Sequence, residues 1–215
     1  MPKYVKPQKR ALTALEKDAF EKAELDDRKR AFVTILYYCG LRKGEALALT
    51  PEDFDFKNKT VSISKVVVFD NNTPILKPYP KSDNGIRLVP LPKASVGILK
   101  NYVNKCEGNL FKGQDKPYMT DTAYRRMWES IITSMNIAAG YNPHAKKDRI
   151  EKPIQGLTAH VFRHNYCTTL CYQIPKISTK KIAQLMGDTE QVVLNIYSHM
   201  LDEKENVNAA LNSAF

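Results

Sequence analysis

Residues 59–91, KTVSISKVVVFDNNTPILKPYPKSDNGIRLVPL, decide the fold class. The segment TVSISK alternates apolar and polar side chains and puts Val61 and Ile63 on one face, the two-residue period of a half-buried strand. KVVVF, PILKPY and IRLVPL are further short runs of β character, and SDNG, directly ahead of Ile86, is a hairpin signal. Together they predict a small three-stranded antiparallel sheet over about 59–91.

Working outward, helical spacing takes over on both sides. Thr13 and Glu16 have the spacing of a capping box, so a helix starts near residue 14. Phe32, Ile35, Leu36 and Cys39 share one helical face, and Gly40 supplies the stop. A short helix is expected around KGEALAL, followed by a turn capped by Thr50-Pro51. Downstream, DTAYRRMWESIITSM carries Tyr124, Met127, Trp128, Ile131 and Met135 as a core stripe. A polar, basic loop, YNPHAKKDRIEKPIQG, precedes three helices, one from Thr158, one from Ser178 and one around TEQVVLNIYSHM. Residues 1–11 read as a basic, proline-containing linker and 203–215 as a weakly amphipathic C-terminal helix. The expected fold is mostly α with a small three-stranded sheet insert, an α+β domain over 12–202.

Bulk composition limits the function. A chain of 215 residues with 43% apolar content buries a real core. Lys and Arg outnumber Asp and Glu by 33 to 23, and the net charge of +10 favours polyanionic partners. No apolar run reaches membrane-spanning length, and MPKYVKPQKR lacks the apolar core of a secretory signal. Cys39, Cys106, Cys167 and Cys171 form no CxxC pair and read as reduced thiols. A zinc site built on His164, Cys167 and Cys171 lacks a fourth ligand of suitable spacing. The expected setting is cytoplasmic, and no metal or cofactor is expected.

Several polar residues stand out. Arg42 follows Gly40 inside the apolar run CGLRKGEALAL, a half-buried place where a guanidinium needs an anion. Lys81 lies in the turn between Pro80 and Ser82. In LTAHVFRHNY (157–166), His160 and Arg163 share a helix face, with His164 alongside. That stretch could hold metal ligands, a phosphate clamp or a polar patch. Tyr197 ends an apolar helical run, and His199 follows. Read singly, each residue has an ordinary explanation. Arg42 could pair only with Glu45, Lys81 could be a solvated turn lysine with Lys77 as a rival, and Tyr197 could belong to the Val193, Ile196, Met200 stripe.

GLRKGEALAL, PKSDNGIRLVPL, HVFRHNYCTT and LMGDTEQVVLNIYSH, in this order, resemble the tyrosine recombinase (phage integrase) family over roughly residues 12–200. The resemblance implies the catalytic domain of that family, entered from its interdomain linker. Implied too is site-specific cutting and rejoining of duplex DNA through a 3′-phosphotyrosyl link, without metal or ATP. Arg42 and Arg163 would then clamp the phosphate, because a guanidinium fork grips phosphate oxygens bidentately and stays charged. His160 would donate to a phosphate oxygen or shuttle the tyrosine proton, Lys81 would protonate the departing 5′ oxygen, and Tyr197 would attack. Glu45 would orient the site. The family also implies a tetramer on DNA that exchanges its last helix between protomers, a free monomer, nucleoid association, and salt-dependent binding through counterion release.

Asp188 departs from the family pattern. Nine residues before Tyr197 the family carries histidine or tryptophan, whereas a carboxylate cannot donate to phosphate. Asp188 is expected either to cap the helix bearing Tyr197, with Gln191 completing a capping box, or to hold a neighbouring donor. Three rival functions stay open: a DNA-binding relic of the family, a type IB topoisomerase-like enzyme, and a metal-dependent nuclease.

Overall fold

The structure, a computed structural model, describes residues 10–78, 85–114, 116–143 and 151–202; the side chains of 199, 201 and 202 are not described. Its elements in order are α1 (Ala14–Lys22), α2 (Asp27–Cys39), α3 (Lys43–Ala48), β1 (Phe54–Asp55), β2 (Thr60–Ile63), β3 (Lys65–Asp70), β4 (Thr73–Pro78), β5 (Arg87–Pro90), α4 (Lys93–Val103), α5 (Asp121–Ala138), α6 (Ala159–Cys171), α7 (Thr179–Met186) and α8 (Glu190–Asp202). The mostly helical α+β expectation holds.

Helix α2 is the spine. Ala31 through Leu36 and Cys39 are all buried, so it is covered on nearly every side, and it packs against α4 and α6. It ends where Gly40 turns left-handed at φ 63°. A Cβ there would lie 2.2 Å from the Tyr166 ring, so the stop also fixes how closely α6 approaches. The Thr13–Glu16 capping box starts α1 as expected. Thr158 precedes α6, but its hydroxyl makes no cap bond.

The sheet insert differs from expectation. All four apolar runs form strands, but they divide into two sheets. One is three-stranded in the order β1-β2-β5, the other is the β3-β4 pair, and Phe54–Asp55 adds a strand outside the expected range. Although SDNG signals a hairpin, β4 and β5 on either side of it do not pair. β5 pairs instead with β2, matching Val61 to Val89 and Ile63 to Arg87. The reason is burial. β2 and β5 share one covered face, while β4 is exposed along nearly its whole length. The observed hairpin turn is Asn71-Asn72, with Asn71 at φ 52°, a conformation asparagine tolerates.

Two apolar cores result. The main one runs from Leu12 to Phe162 across α1–α6 and the sheets. A smaller one gathers Tyr166, Cys167, Cys171, Ile182, Ala183, Met186, Val193 and Met200, with Ile196 and Tyr197 packed against it. Helix α6 contributes to both. Its first turns lie in the main core and its last turns in the small one, so its middle passes through the junction. Among the described residues no helix is long and apolar enough to cross a membrane.

Candidate active site

At that junction lies a chain of alternating charges. Arg163, on the middle of α6, is only 2% exposed. The segment before α6 is held by two buried contacts, and these set where the helix begins. The Asn136 amide donates to Ile154 O at 3.1 Å and accepts from Ile154 N at 2.8 Å, and Trp128 Nε1 donates to Leu157 O at 3.1 Å. From there Arg163 Nη1 donates to Gly40 O at 2.8 Å, and Nη2 donates both to Met186 O and to Asp188 Oδ2, each at 2.6 Å. Burial lowers the Arg163 pKa, and the Arg42 charge lowers it further; Glu45 and Asp188 oppose them.

Arg42 enters from the residue before α3. Its Nη1 donates to Glu45 Oε1 at 3.0 Å, its Nη2 donates to Gly187 O at 2.9 Å, and the same nitrogen lies 3.1 Å from Asp188 Oδ1. Glu45 is fully buried and also holds the Arg42 backbone N–H at 2.8 Å. Its other partner is Arg87, which donates Nη2 to Oε2 at 2.7 Å and Nη1 to Oε1 at 3.2 Å, and Nε to Leu185 O at 2.9 Å. The series therefore reads Arg87, Glu45, Arg42, Asp188, Arg163.

Arg87 was missed in the sequence. It sits inside IRLVPL, where Ile86 and Leu88 draw the eye, yet these two are exposed while Arg87 and Val89 face inward. Counting back by two from Val89 would have found it.

Asp188 corrects the capping expectation. Helix α8 begins at Glu190, so Thr189 immediately precedes it, and the Asp188 carboxylate is taken up by two guanidinium groups. The other expectation, that it holds a neighbouring donor, describes these contacts.

A cleft of about 780 Å³ opens beside the series, lined among others by His160, Arg163, Asp188 and, from α8, Asn195 and Ile196. A second cavity of about 290 Å³ is lined by Arg42, Lys43, Ala159, His160 and Arg163 together with β3. His160 is exposed and lines both. The structure thus brings Arg42, His160, Arg163 and Asp188 together. It does not bring Tyr197 into the cavity wall. That ring is half-buried against the small core, one residue beyond the wall residue Ile196. Lys81 lies outside the described residues. Among the described residues no three His, Cys, Asp or Glu side chains are grouped to hold a metal ion.

Chemically, two arginines held by fixed carbonyls and carboxylates, both lining the smaller cavity with Arg163 also on the cleft wall, make a preorganised receptor for a tetrahedral anion. The phage integrase family profile matches residues 8–204. Among curated relatives, a XerC-like tyrosine recombinase of Caldanaerobacter subterraneus subsp. tengcongensis is 25% identical over 198 residues, covering 87% of this chain and 50% of the relative. The tyrosine recombinase XerD of Pseudomonas aeruginosa is 24% identical over 205 residues, covering 93% and 60%. The chain therefore spans about half to three-fifths of the length of these relatives. Among solved structures, the Tn1549 transposon integrase in complex with circular intermediate DNA superposes with a TM-score of 0.73 at 21% identity, over 100% of this chain and 68% of that one.

Proposed function

The chain belongs to the phage integrase family, and from that premise we propose that it is the catalytic domain of a site-specific DNA recombinase that breaks and rejoins strands through a phosphotyrosyl intermediate. The observation that carries the reading is the pair Arg42 and Arg163, from opposite ends of the domain, gathered about one anion beside a cleft. In the proposed reaction the two guanidinium groups bind the non-bridging oxygens of the scissile phosphate and stabilise the charge that builds there. His160, on the cleft rim, donates to the same phosphate or accepts the phenol proton. The Tyr197 oxygen forms a bond to phosphorus, the 5′ oxygen leaves and takes a proton from Lys81, and the 3′ phosphate stays on tyrosine. Reversal with a new 5′ hydroxyl rejoins the strand, so bond energy is kept and no nucleotide is consumed.

Tyr197 must reach the cleft for this. Neighbouring helical positions differ by about 100° in direction, so a rotation of that order at the end of α8 exchanges Ile196 for Tyr197 on the cleft wall. The partner is duplex DNA. The proposed assembly is a tetramer on DNA built from a free monomer, working on the nucleoid; residues 203–215, the segment expected to be exchanged between protomers, lie outside the described residues.

The test is covalent capture. Nicked duplexes of randomised sequence are incubated with the chain, and denaturing electrophoresis resolves protein–DNA adducts. An adduct that survives EDTA and disappears in Tyr197→Phe is expected. No adduct, or one that persists in that variant, overturns the reading. Relaxation of supercoiled plasmid by a monomer with no site preference would favour a topoisomerase, and cleavage lost in EDTA a metal nuclease. A second reading, a DNA-binding relic, draws on the Asp188 carboxylate between the arginines. It predicts an adduct only after Asp188→His.

A further inference from the structure

We propose that Asp188 is a built-in surrogate for the DNA phosphate: its carboxylate occupies the seat between Arg42 and Arg163 and sets how tightly that seat takes an incoming phosphate. The proposal deepens the reading above and rests on Arg42 and Arg163 being a phosphate clamp.

Backbone geometry puts the carboxylate there. Gly187 ends α7 in the left-handed conformation at φ 63° and ψ 46°, and Asp188 N donates back to Ala183 O at 3.0 Å. This closure of the helix end fixes the Asp188 Cα beside the arginines. One oxygen then meets Arg163 at 2.6 Å and the other meets Arg42 at 3.1 Å. A carboxylate bridging two guanidinium groups satisfies the same donors that two oxygens of a phosphodiester would take.

The donor count makes the two anions competitors. Arg163 Nη2 carries two hydrogens, one given to Met186 O and the other to Asp188 Oδ2. A phosphate oxygen reaches that nitrogen only by displacing one of them. Met186 O belongs to the end of α7 and is fixed by the helix, whereas Asp188 is a side chain on the cleft wall with open volume beside it. The side chain is therefore the group that yields. Charge points the same way. The series holds three cations, Arg87, Arg42 and Arg163, and two carboxylates, Glu45 and Asp188, so its formal charge is 3 − 2 = +1. Removing the Asp188 charge raises it to +2, and like-charge repulsion of the entering phosphate disappears.

Asparagine keeps the shape and one acceptor oxygen but not the charge. The test uses the full chain, inorganic phosphate as probe, and isothermal titration at neutral pH and constant ionic strength. Asp188→Asn is expected to bind phosphate about tenfold more tightly than the unmodified chain. Asp188→Ser should change in the same direction, and adding Arg42→Ala to Asp188→Asn should cancel the gain. Equal or weaker phosphate binding in both single variants overturns the proposal. So does a gain that survives Arg42→Ala, which would place the ion elsewhere. Loss of the helical circular dichroism signal in both single variants also overturns it, because the carboxylate would then be a fixed structural tie. The titration needs no strand cleavage. Tighter phosphate binding without any covalent adduct would leave this proposal standing and remove only the recombinase reading.

Discussion

Arg87 grips Glu45 from the sheet side while Arg42 grips it from the helix side, so a fully buried carboxylate has cations on two flanks. Removing one partner of a buried pair leaves charge stranded away from water, which costs far more than the pair contributes. Arg87→Ala is expected to lower stability by about 3 kcal/mol, read from the urea midpoint. Lysine cannot reproduce the two-point grip, so Arg87→Lys should recover only part of the loss. The same substitution should weaken phosphate binding, since Glu45 also steers Arg42. Neither role was visible in the sequence. Arg87 stands between two apolar residues that face solvent, and only the two-residue step back from Val89 marks it as the inward member of its strand. Asp188 misled for a related reason. Local spacing to Gln191 suggests a helix cap, and the alternative expectation of a neighbouring donor could not name Arg163 and Arg42, which lie 25 and 146 positions earlier.

At the scale of elements, the helices were the legible part. The capping box at Thr13, the glycine stop at Gly40 and the serine cap at Ser178 each depend on residues within one turn, and all three form. The two-residue strand Phe54–Asp55 was too short to show a pattern, but the four strands within 59–91 were equally legible, because their apolar runs are local. Strand pairing was not, since β5 finds β2 across the whole β3-β4 hairpin. The α1 cap has a consequence in acid. Burial works to raise the Glu16 pKa, but bonds from the Arg10 guanidinium, at 2.6 Å to each oxygen, and from the Thr13 N–H hold it below the ordinary value. A carboxyl depressed in the folded state stabilises fully above its unfolded pKa and loses that contribution as pH falls through the folded value. Stability measured from pH 6 downward should therefore fall less steeply in Glu16→Gln than in the unmodified chain. Asn136 ties α5 to the segment that leads into α6. Asn136→Leu strands both backbone groups of Ile154 and should cost about 2 kcal/mol, with faster amide exchange at Ile154.

Across the whole molecule, the two apolar clusters divide the domain unevenly. The body is built on α2, whereas α7 and α8 rest on a patch of eight buried residues reached through the far half of α6. Fewer apolar contacts mean a lower free energy for local opening. Native-state hydrogen exchange should show the amides of α7 and α8 opening at lower denaturant than those of α2. Uniform protection across all three helices would contradict this. The domain then melts in two tiers. The looser tier carries both Asp188 and Tyr197, so in the proposed reaction one fluctuation would loosen the restraint on the arginines and free the nucleophile together.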